Sequence, residues 1–174
     1  GALTLAVNLI LLPMGHVLVA NAGMTSADGR CKFLDERANG YVRAEGVGAV
    51  MLEAGIDVSS GQRGATSLRG SAVRSDGKSA SLTAPNGRAQ AELLRAAIMK
   101  AAWDPCSIDF VEAHGTGTGL GDPTEAGALV AVHSADERAM PLAIGAAKGS
   151  VGHSEAVSGQ VGLLKVQQPQ QWAQ

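Results

Sequence analysis

The first part of the chain is almost entirely apolar, because residues 1–27 contain no Asp, Glu, Lys or Arg. Asn8 and Pro13 interrupt this stretch, so its apolar runs are too short to read as one membrane span. Short apolar runs bounded in this way are typical of a buried strand, here within residues 1–12, and Pro13 suits the first turn of a helix. The pattern predicts a buried strand followed by a helix, with a membrane anchor over residues 1–23 as the less favoured alternative.

Downstream, the pattern switches repeatedly between strand-like and helix-like periods. Residues 25–45 are polar and contain the turn-forming pairs Asp28-Gly29 and Asn39-Gly40. In residues 88–103 the apolar positions fall on one stripe, which predicts an amphipathic helix. The remaining predicted elements are strands over residues 47–52, 65–73, 108–113 and 142–147, and helices over residues 122–133 and 151–166. Because strands alternate with helices, we expect an α/β domain with a mixed, partly parallel sheet and covering helices.

Two helix starts carry more specific signals. Asp122, Pro123 and Glu125 have the spacing of an N-cap, a first helical residue and a capping-box partner, so Asp122 is predicted to cap its helix. The next predicted helix has His153 near its N-terminus, where the helix dipole favours a neutral imidazole. Residues 167–174 are rich in glutamine and break the preceding pattern, so they are predicted to form a frayed tail.

Composition narrows the class of protein. With 174 residues, a formal charge of −2 and 3% aromatic residues, the chain fits one compact domain and has no basic stripe or stacking aromatics for nucleic acid. Its two cysteines form no Cys-x-x-Cys pair and its four histidines lack metal-ligand spacing, so we expect no metal site and a reducing compartment. The pattern of a secretory signal is not found, and the start at Gly1 without a methionine suggests a piece of a longer protein.

The densest candidate chemistry runs from Glu112 to Pro123 and joins a strand end to a helix start, where ligand sites collect in α/β folds. Its glycines do not complete a dinucleotide fingerprint, because Leu120 occupies the third glycine position of a motif that starts at Gly115, and Asp122 occupies that of one that starts at Gly117. Glu112 and His114 share one face of an extended segment, which predicts a polar pair at the strand end. A histidine that merely caps a turn remains the alternative at this position.

A second cluster, from Lys148 to His153, also follows a predicted strand. A neutral imidazole there donates a hydrogen bond without carrying charge, which suits the stabilisation of an oxyanion. Elsewhere, Gly77-Lys78-Ser79 imitates the end of a phosphate-binding loop but lacks the leading glycine, since that position holds Ala72. The residues therefore indicate two histidine-bearing strand ends rather than a nucleotide site.

Several motifs follow one another along the chain in a fixed order. They are Asp28-Gly29-Arg30-Cys31-Lys32, Gly40-Tyr41-Val42-Arg43-Ala44-Glu45-Gly46, Gly70-Ser71-Ala72-Val73, Asp76-Gly77, Leu82-Thr83-Ala84-Pro85-Asn86-Gly87, Val111-Glu112-Ala113-His114-Gly115-Thr116-Gly117-Thr118 and Gly152-His153. Together they resemble the ketosynthase, or β-ketoacyl synthase, domain of modular polyketide synthases and type I fatty acid synthases. The resemblance extends to Val166 and identifies the chain as the C-terminal portion of such a domain.

This resemblance implies a partial thiolase-like layered fold, about its second half, and a decarboxylative Claisen condensation. In that reaction malonyl on an acyl carrier protein loses carbon dioxide, and the enolate attacks an acyl thioester held on a cysteine. By resemblance, His114 and His153 match the family's two histidines and Lys148 matches its supporting lysine. Thr116 and Thr118 match the threonines that contact the carrier's pantetheine arm.

The same resemblance implies the partners. We expect an acyl carrier protein, acyl and malonyl thioesters and, in the intact parent, a homodimer. The substrate is carried on the phosphopantetheine of the carrier protein, so no directly bound cofactor is expected, and neither nucleic acid nor a membrane is a partner. The expected location is the cytoplasm or an organelle stroma, without secretion.

One family feature is missing from the matched motifs. The family's nucleophilic cysteine lies upstream of the strand that residues 1–12 resemble, and neither Cys31 nor Cys106 replaces it convincingly. Gly149 and Ser150 also stand where the family usually has Ser-Asn. We therefore expect residues 1–166 to form a partial ketosynthase domain that does not condense acyl chains alone. The alternatives are a non-catalytic scaffold that binds carrier protein and one half of a split ketosynthase.

Overall fold

The structure is a computed structural model that describes residues 1–55, 66–79, 81, 84–134, 138 and 140–172, with side chains described as far as residue 168. Its strands and helices are β1 (Ala2–Asn8), α1 (Pro13–Asn21), β2 (Gly46–Leu52), α2 (Gly87–Ala101), β3 (Phe110–Glu112), α3 (Gly121–His133), β4 (Ala143–Gly145), α4 (Lys148–Val151) and α5 (Ser158–Trp172). Short 3-10 turns cover Pro105–Ser107 and Glu155–Val157. The predicted α/β class is confirmed.

Strands β1 and β2 form an antiparallel pair, with Ala2 opposite Leu52 and Asn8 opposite Gly46. The sequence predicts β1 to be buried, and this is wrong for the described chain, since Leu5 is 71% exposed. Side chains alternate between the two faces of this sheet, and on one face the apolar side chains have no covering layer among the described residues. We call this the bare face. The bare face consists of Leu3, Leu5, Val7, Val47, Ala49 and Met51.

Strands β3 and β4 form a parallel pair, with Val111 opposite Ile144. Helix α5 packs on this pair and on β2, while α2 packs against α3. The described strands thus include both parallel and antiparallel pairs, as the predicted mixed sheet requires, but they form two separate two-stranded sheets. The buried apolar positions in these elements and loops are small or medium in size, and they include Ala89, Ala91, Ala113, Ala128, Leu129 and Val157.

The predicted helix over residues 88–103 is confirmed as α2. The apolar stripe does not predict its cap: the side chain of Asn86 accepts a hydrogen bond from the backbone N–H of Ala89. The helix ends where Ala102 adopts a left-handed conformation with a φ of 54°. Of the weak strand predicted over residues 65–73, position 65 lies outside the described residues, and the rest has no regular structure.

The predicted capping box is wrong. Helix α3 already begins at Gly121, and no side chain caps it at Leu120. The carboxylates of Asp122 and Glu125 instead accept hydrogen bonds from the preceding glycine-rich loop. Hydrogen bonds to that preceding loop therefore replace the N-terminal capping that the spacing predicts.

The single helix predicted over residues 151–166 is divided in the structure. The four-residue helix α4 ends at Val151, a 3-10 turn covers Glu155–Val157, and α5 begins only at Ser158. His153 lies between them, so the predicted placement at a helix N-terminus is wrong. Helix α5 continues to Trp172, so the segment predicted to fray is helical as far as that residue.

Membrane-spanning helices and metal clusters are not found in the part of the chain that the structure describes. None of the helices in the described ranges is long and apolar enough to cross a bilayer. Within the same ranges, no three or more His, Cys, Asp or Glu side chains are grouped so that they could hold a metal ion.

Candidate functional site

The imidazoles of His114 and His153 lie together, although different loops carry them. Their ring centroids are 5.5 Å apart, and the ring planes meet at 85°, edge to face. The Tyr41 ring also packs on His153, at 5.2 Å between centroids. The structure thus brings together the two histidines that the sequence motifs select.

Glu125 on α3 fixes the backbone at His114, which lies two residues after β3. The backbone N–H groups of His114 and Gly115 donate to the two carboxylate oxygens of Glu125, at 2.6 and 2.9 Å. Gly115 has a φ of +46°, and a Cβ there would lie 2.5 Å from the Ala146 Cβ. A side chain at this position would therefore push the loop away from the Ala146 segment.

A second carboxylate holds the same loop further along. Asp122 is 3% exposed and accepts hydrogen bonds from the backbone N–H groups of Gly117 and Leu34, at 3.1 and 3.0 Å. Gly117 has a φ of +79°, and a Cβ there would lie 2.4 Å from the backbone nitrogen of Lys32. Asp122 therefore binds the glycine-rich loop to the polar segment that contains Leu34.

Residues of the Gly40–Gly46 motif hold the backbone of His153. The His153 N–H donates to the Val42 carbonyl at 2.8 Å, and the Ala44 N–H donates to the His153 carbonyl at 2.9 Å. Gly152 has a φ of +77° next to this bridge, where a Cβ would lie 3.0 Å from the Ala44 Cβ. The motif thus acts as a short strand against which the second histidine is set.

The hydrogen bonds of His153 fix its tautomer. The backbone N–H of Glu155 lies 3.0 Å from His153 Nδ1, and the Ser158 hydroxyl lies 2.9 Å from the same atom. Because a backbone N–H only donates, Nδ1 must accept, and the proton of the neutral ring is assigned to Nε2. Nε2–H is then a donor available to another group.

Burial keeps the imidazoles neutral. It lowers the pKa of His153 to about 4, and the nearby Lys148 cation and His114 add to the effect. The pKa of His114 is also lowered, first by loss of solvent around the ring and then by Lys148. The predicted neutral state of His153 thus has a different cause from the predicted helix dipole.

Lys148 is buried next to the histidines, with 8% of its surface exposed. Burial lowers its pKa, while the carboxylates of Glu125 and Glu112 oppose that shift. Glu112 accepts a hydrogen bond from the backbone N–H of Ala147, just before α4, and forms an ion pair with Lys165 at 2.7 Å. Glu112 therefore supports the Lys148 turn, rather than pairing with His114 as its spacing predicts.

Thr116 and Thr118 lie in the loop that follows His114. Thr116 is 8% exposed, and its hydroxyl lies 3.3 Å from that of Thr118. The Thr118 hydroxyl also accepts a hydrogen bond from the Gly121 N–H at the start of α3. In the described structure both threonines thus contribute to the loop's own hydrogen bonds.

The surroundings of Cys31 oppose the formation of a thiolate. Cys31 is 4% exposed, its sulfur accepts a hydrogen bond from the Val42 N–H, and burial raises the pKa of its thiol. Cys106 is half-buried in the 3-10 turn Pro105–Ser107, which is too short to act as a helix N-terminus that activates a thiol. The thiol of Cys31 is therefore protonated at neutral pH.

A cavity of about 460 Å³ adjoins the site. His114 and Lys148 are among its polar lining residues, and α5 contributes small or apolar ones, among them Gly159, Val161 and Gly162. Neutral imidazole donors and one buried cation beside an apolar space can stabilise negative charge on an oxygen atom. The arrangement therefore suits chemistry that develops an oxyanion.

Glu155, Ser158 and Tyr41 also belong to this site, although the sequence pattern does not predict it. Glu155 and Ser158 follow His153 by two and five positions, but no local pattern shows that both turn back to its ring. Tyr41 lies in one of the ordered motifs, whose sequence carries no information on which ring it contacts. The order of the motifs indicates which segments contribute to the site, but it does not show which of their side chains are in contact.

Two models of one protein family match the chain. Residues 65–169 match the family model described as "Beta-ketoacyl synthase, C-terminal domain", and residues 1–57 match that of the N-terminal domain. The prediction of a C-terminal portion only is therefore wrong, because the first part of the chain belongs to the N-terminal domain.

Relatives with curated names are much longer than this chain. It is 45% identical over 165 residues to a phenolphthiocerol/phthiocerol polyketide synthase of Mycobacterium tuberculosis, covering 94% of this chain and 8% of that protein. It is also 45% identical over 142 residues to the erythronolide synthase EryA2 of Saccharopolyspora erythraea, covering 81% of this chain and 4% of that protein. The chain thus spans less than a tenth of these two relatives.

Solved structures show the same relationship. The ketosynthase domain OzmH KS7 of Streptomyces albus oxazolomycin synthesis superposes with a TM-score of 0.86 at 36% identity, covering 95% of this chain and 29% of that one. The ketosynthase from module 6 of the Bacillus subtilis bacillaene synthase gives 0.84 at 37%, covering 95% and 30%. The described fold is thus part of a thiolase-like ketosynthase fold, and the chain belongs to the β-ketoacyl synthase family as part of a ketosynthase domain of the polyketide synthase type.

Proposed function

We propose that this chain supplies the oxyanion-stabilising part of a ketosynthase that condenses an acyl thioester with malonyl on an acyl carrier protein. The observation that carries the proposal is the edge-to-face contact of His114 and His153, with the proton of His153 assigned to Nε2. The family membership supports the same reaction class.

The chemistry follows from where charge develops. As malonyl loses carbon dioxide, electrons move onto the thioester oxygen, and the enolate then attacks the acyl carbon. Donors from His114 and His153 that are already in place stabilise this oxygen without reorganisation, and one such donor contributes about 3–4 kcal/mol in comparable sites. Lys148 adds positive charge and helps to keep both imidazoles neutral.

The carrier protein is the proposed partner, and its phosphopantetheine carries the substrate. The family resemblance implies that Thr116 and Thr118, two and four positions after His114, contact the pantetheine arm that brings malonyl to the imidazoles. The contact between the two hydroxyls orients them within the loop. Thr116 and Thr118 are therefore proposed to bind the arm.

The acyl group needs a thiolate nucleophile, and the surroundings of Cys31 do not fit that role. The raised pKa and burial of Cys31 oppose thiolate formation. We therefore propose that a cysteine outside these 174 residues carries the acyl group. The chain alone then does not condense acyl chains, because loss of the nucleophile from such a catalytic unit costs on the order of a millionfold in rate.

The test separates decarboxylation from condensation. Carbon dioxide release from malonyl carrier protein is measured for the ketosynthase that contains this chain and for its His114→Ala and His153→Ala variants. We expect each variant to be slower by roughly a hundredfold or more. His16→Ala is the matched control, since His16 is exposed and distant in sequence from both loops. Equal rates in all four proteins contradict the proposal.

Two alternatives rest on the same observation, the raised pKa of the buried Cys31 thiol, which opposes its use as a nucleophile. In one the chain is half of a split ketosynthase, and in the other it is a scaffold for carrier protein. Condensation that appears when a second, cysteine-bearing chain is added supports the split enzyme. Binding of carrier protein without decarboxylation supports the scaffold.

A further inference from the structure

The residue that fixes the His153 tautomer has an unusual backbone. Glu155 has a φ of +45°, in the left-handed region that residues with a Cβ rarely occupy. Its N–H donates to His153 Nδ1 in this conformation. Something in the surrounding structure must therefore hold Glu155 in place.

An ion pair is the strongest contact that the Glu155 side chain makes among the described residues. Arg43 Nε donates to Glu155 Oε1 at 2.7 Å, and the Arg43 side chain is only 13% exposed. An exposed ion pair contributes little to stability, but a guanidinium with little freedom to move orients its partner well. Arg43 can therefore act on geometry more than on stability.

The position of Arg43 in the chain makes this control direct. Its two neighbours, Val42 and Ala44, form the backbone hydrogen bonds that flank His153. The same short strand thus holds the backbone of His153 and, through Arg43, the carboxylate two residues further on. Two contacts from one strand define both ends of the segment that runs from His153 to Glu155.

We infer that the ion pair between Arg43 and Glu155 positions His153: it anchors the turn from His153 to Glu155, in which Glu155 is left-handed, so that the Glu155 N–H meets Nδ1 and the ring proton stays on Nε2. This inference deepens the proposed function and rests on it, because Nε2–H is the donor proposed to face the oxyanion. Arg43 and Glu155 are positioning residues and do not touch the substrate.

The Ser158 hydroxyl is the competing explanation, since it lies 2.9 Å from the same Nδ1 atom. A hydroxyl can donate or accept, so it is compatible with either tautomer. The Glu155 N–H is compatible with only one tautomer. The ion pair and the hydroxyl therefore predict different results when each is removed.

The experiment uses the ketosynthase that contains this chain, labelled with ¹⁵N-histidine. The ¹⁵N shifts of the His153 ring report the tautomer, and carbon dioxide release from malonyl carrier protein reports the rate. The variants are Arg43→Met, Glu155→Ala, Glu155→Gly and Ser158→Ala. The matched control is Arg37→Met, because Arg37 forms an ion pair of the same length with Asp35, and its own side chain is exposed.

We expect Arg43→Met and Glu155→Ala to give mixed tautomers and a rate lower by roughly tenfold. This factor corresponds to the free-energy cost of the left-handed conformation for a residue with a Cβ. Glu155→Gly also lacks the ion pair but adopts a positive φ freely, so it should recover most of the tautomer and the rate. Ser158→Ala should retain the single tautomer, and Arg37→Met should match the unchanged protein.

Retention of the single tautomer in both Arg43→Met and Glu155→Ala overturns the inference, as does its loss in Ser158→Ala alone. If Arg43→Met does not fold, Glu155→Ala and Glu155→Gly decide the question, and equal spectra for these two variants also overturn it. The spectra remain informative even if His153→Ala leaves carbon dioxide release unchanged. That result contradicts the proposed function and not the positioning of the ring.

Discussion

The histidine site and the β1–β2 sheet differ in whether the chain itself supplies the contacts that each region needs. At the site, carboxylates of the chain itself hold the loop: Glu125 accepts two backbone N–H groups and Asp122 accepts two more. In the sheet, Leu5 and Val47 on the bare face are 71% and 77% exposed. The loop amides at the site thus find acceptors inside the chain, whereas the bare face needs a surface that the described residues do not provide.

The difference teaches that the local geometry of the site does not depend on covering the sheet. Directional hydrogen bonds to other groups of the described chain fix the loops around His114 and His153. Apolar burial is not directional and needs area, so the sheet gains its main stabilisation only when another layer covers it. Changes to the two regions should therefore have separable effects.

The largest effect is expected from the buried carboxylate at the site. Asp122→Ala leaves the buried N–H of Gly117 and the part-buried N–H of Leu34 without their acceptor, which should lower the free energy of unfolding by about 3 kcal/mol. Urea unfolding of the ketosynthase that contains this chain measures it. Glu36→Ala, at an exposed position, is the control and should change little. A loss below about 1 kcal/mol would show that the loop does not rely on this carboxylate.

The second effect concerns the bare face in the isolated chain. We expect this chain to aggregate or dimerise, because exposed apolar strands associate. Replacing Leu5 and Met51 by Ser should increase the monomer fraction in sedimentation velocity experiments. Val50→Ser, on the opposite face of β2, is the control and should not do so. A monomeric unchanged chain with a sharp melting transition that is independent of concentration would refute the expectation.

The smallest effect is a dependence of stability on pH. The pKa of His153 is about 4 in the folded chain and 6.5 for an unperturbed histidine, so the unfolded chain binds more protons between these values. The contribution of His153 to the free energy of unfolding should therefore be fully present above pH 6.5 and should decrease as the pH drops from 6.5 towards 4. Thermal melting of the ketosynthase across this range measures the slope. His153→Gln should reduce it, His16→Ala should not, and equal slopes in all three would show that His153 does not titrate as described.

The sequence predicts the fold best where the pattern is local. The apolar stripe of α2 is enough to place that helix, because its own periodicity decides which face is buried. The pattern fails for β1, because a continuous apolar run indicates two buried faces without showing which chain covers them. It also fails at Asp122, because the Asp122 carboxylate accepts a hydrogen bond from the Gly117 N–H in the preceding loop instead of capping its helix.

The candidate site divides in the same way. Motif order and family resemblance are enough to select His114, His153 and Lys148, and the structure places all three together. The sequence does not reveal that the predicted helix at residue 151 is interrupted, because the bridge from His153 to the Val42 carbonyl and the Ala44 amide is a tertiary contact. Such contacts leave no periodic signal in the segments that make them.

The bond between Arg43 and Glu155 joins positions 112 residues apart in the chain. During translation, the strand with Arg43 leaves the ribosome long before the segment that follows β4. His153 can therefore contact Val42 and Ala44 only when synthesis of this region is nearly complete. Contacts of such long sequence separation also form slowly, because they require closure of a large loop. The second histidine is therefore among the last groups in this chain to be oriented, and a nascent chain that stalls before residue 153 holds only half of the pair.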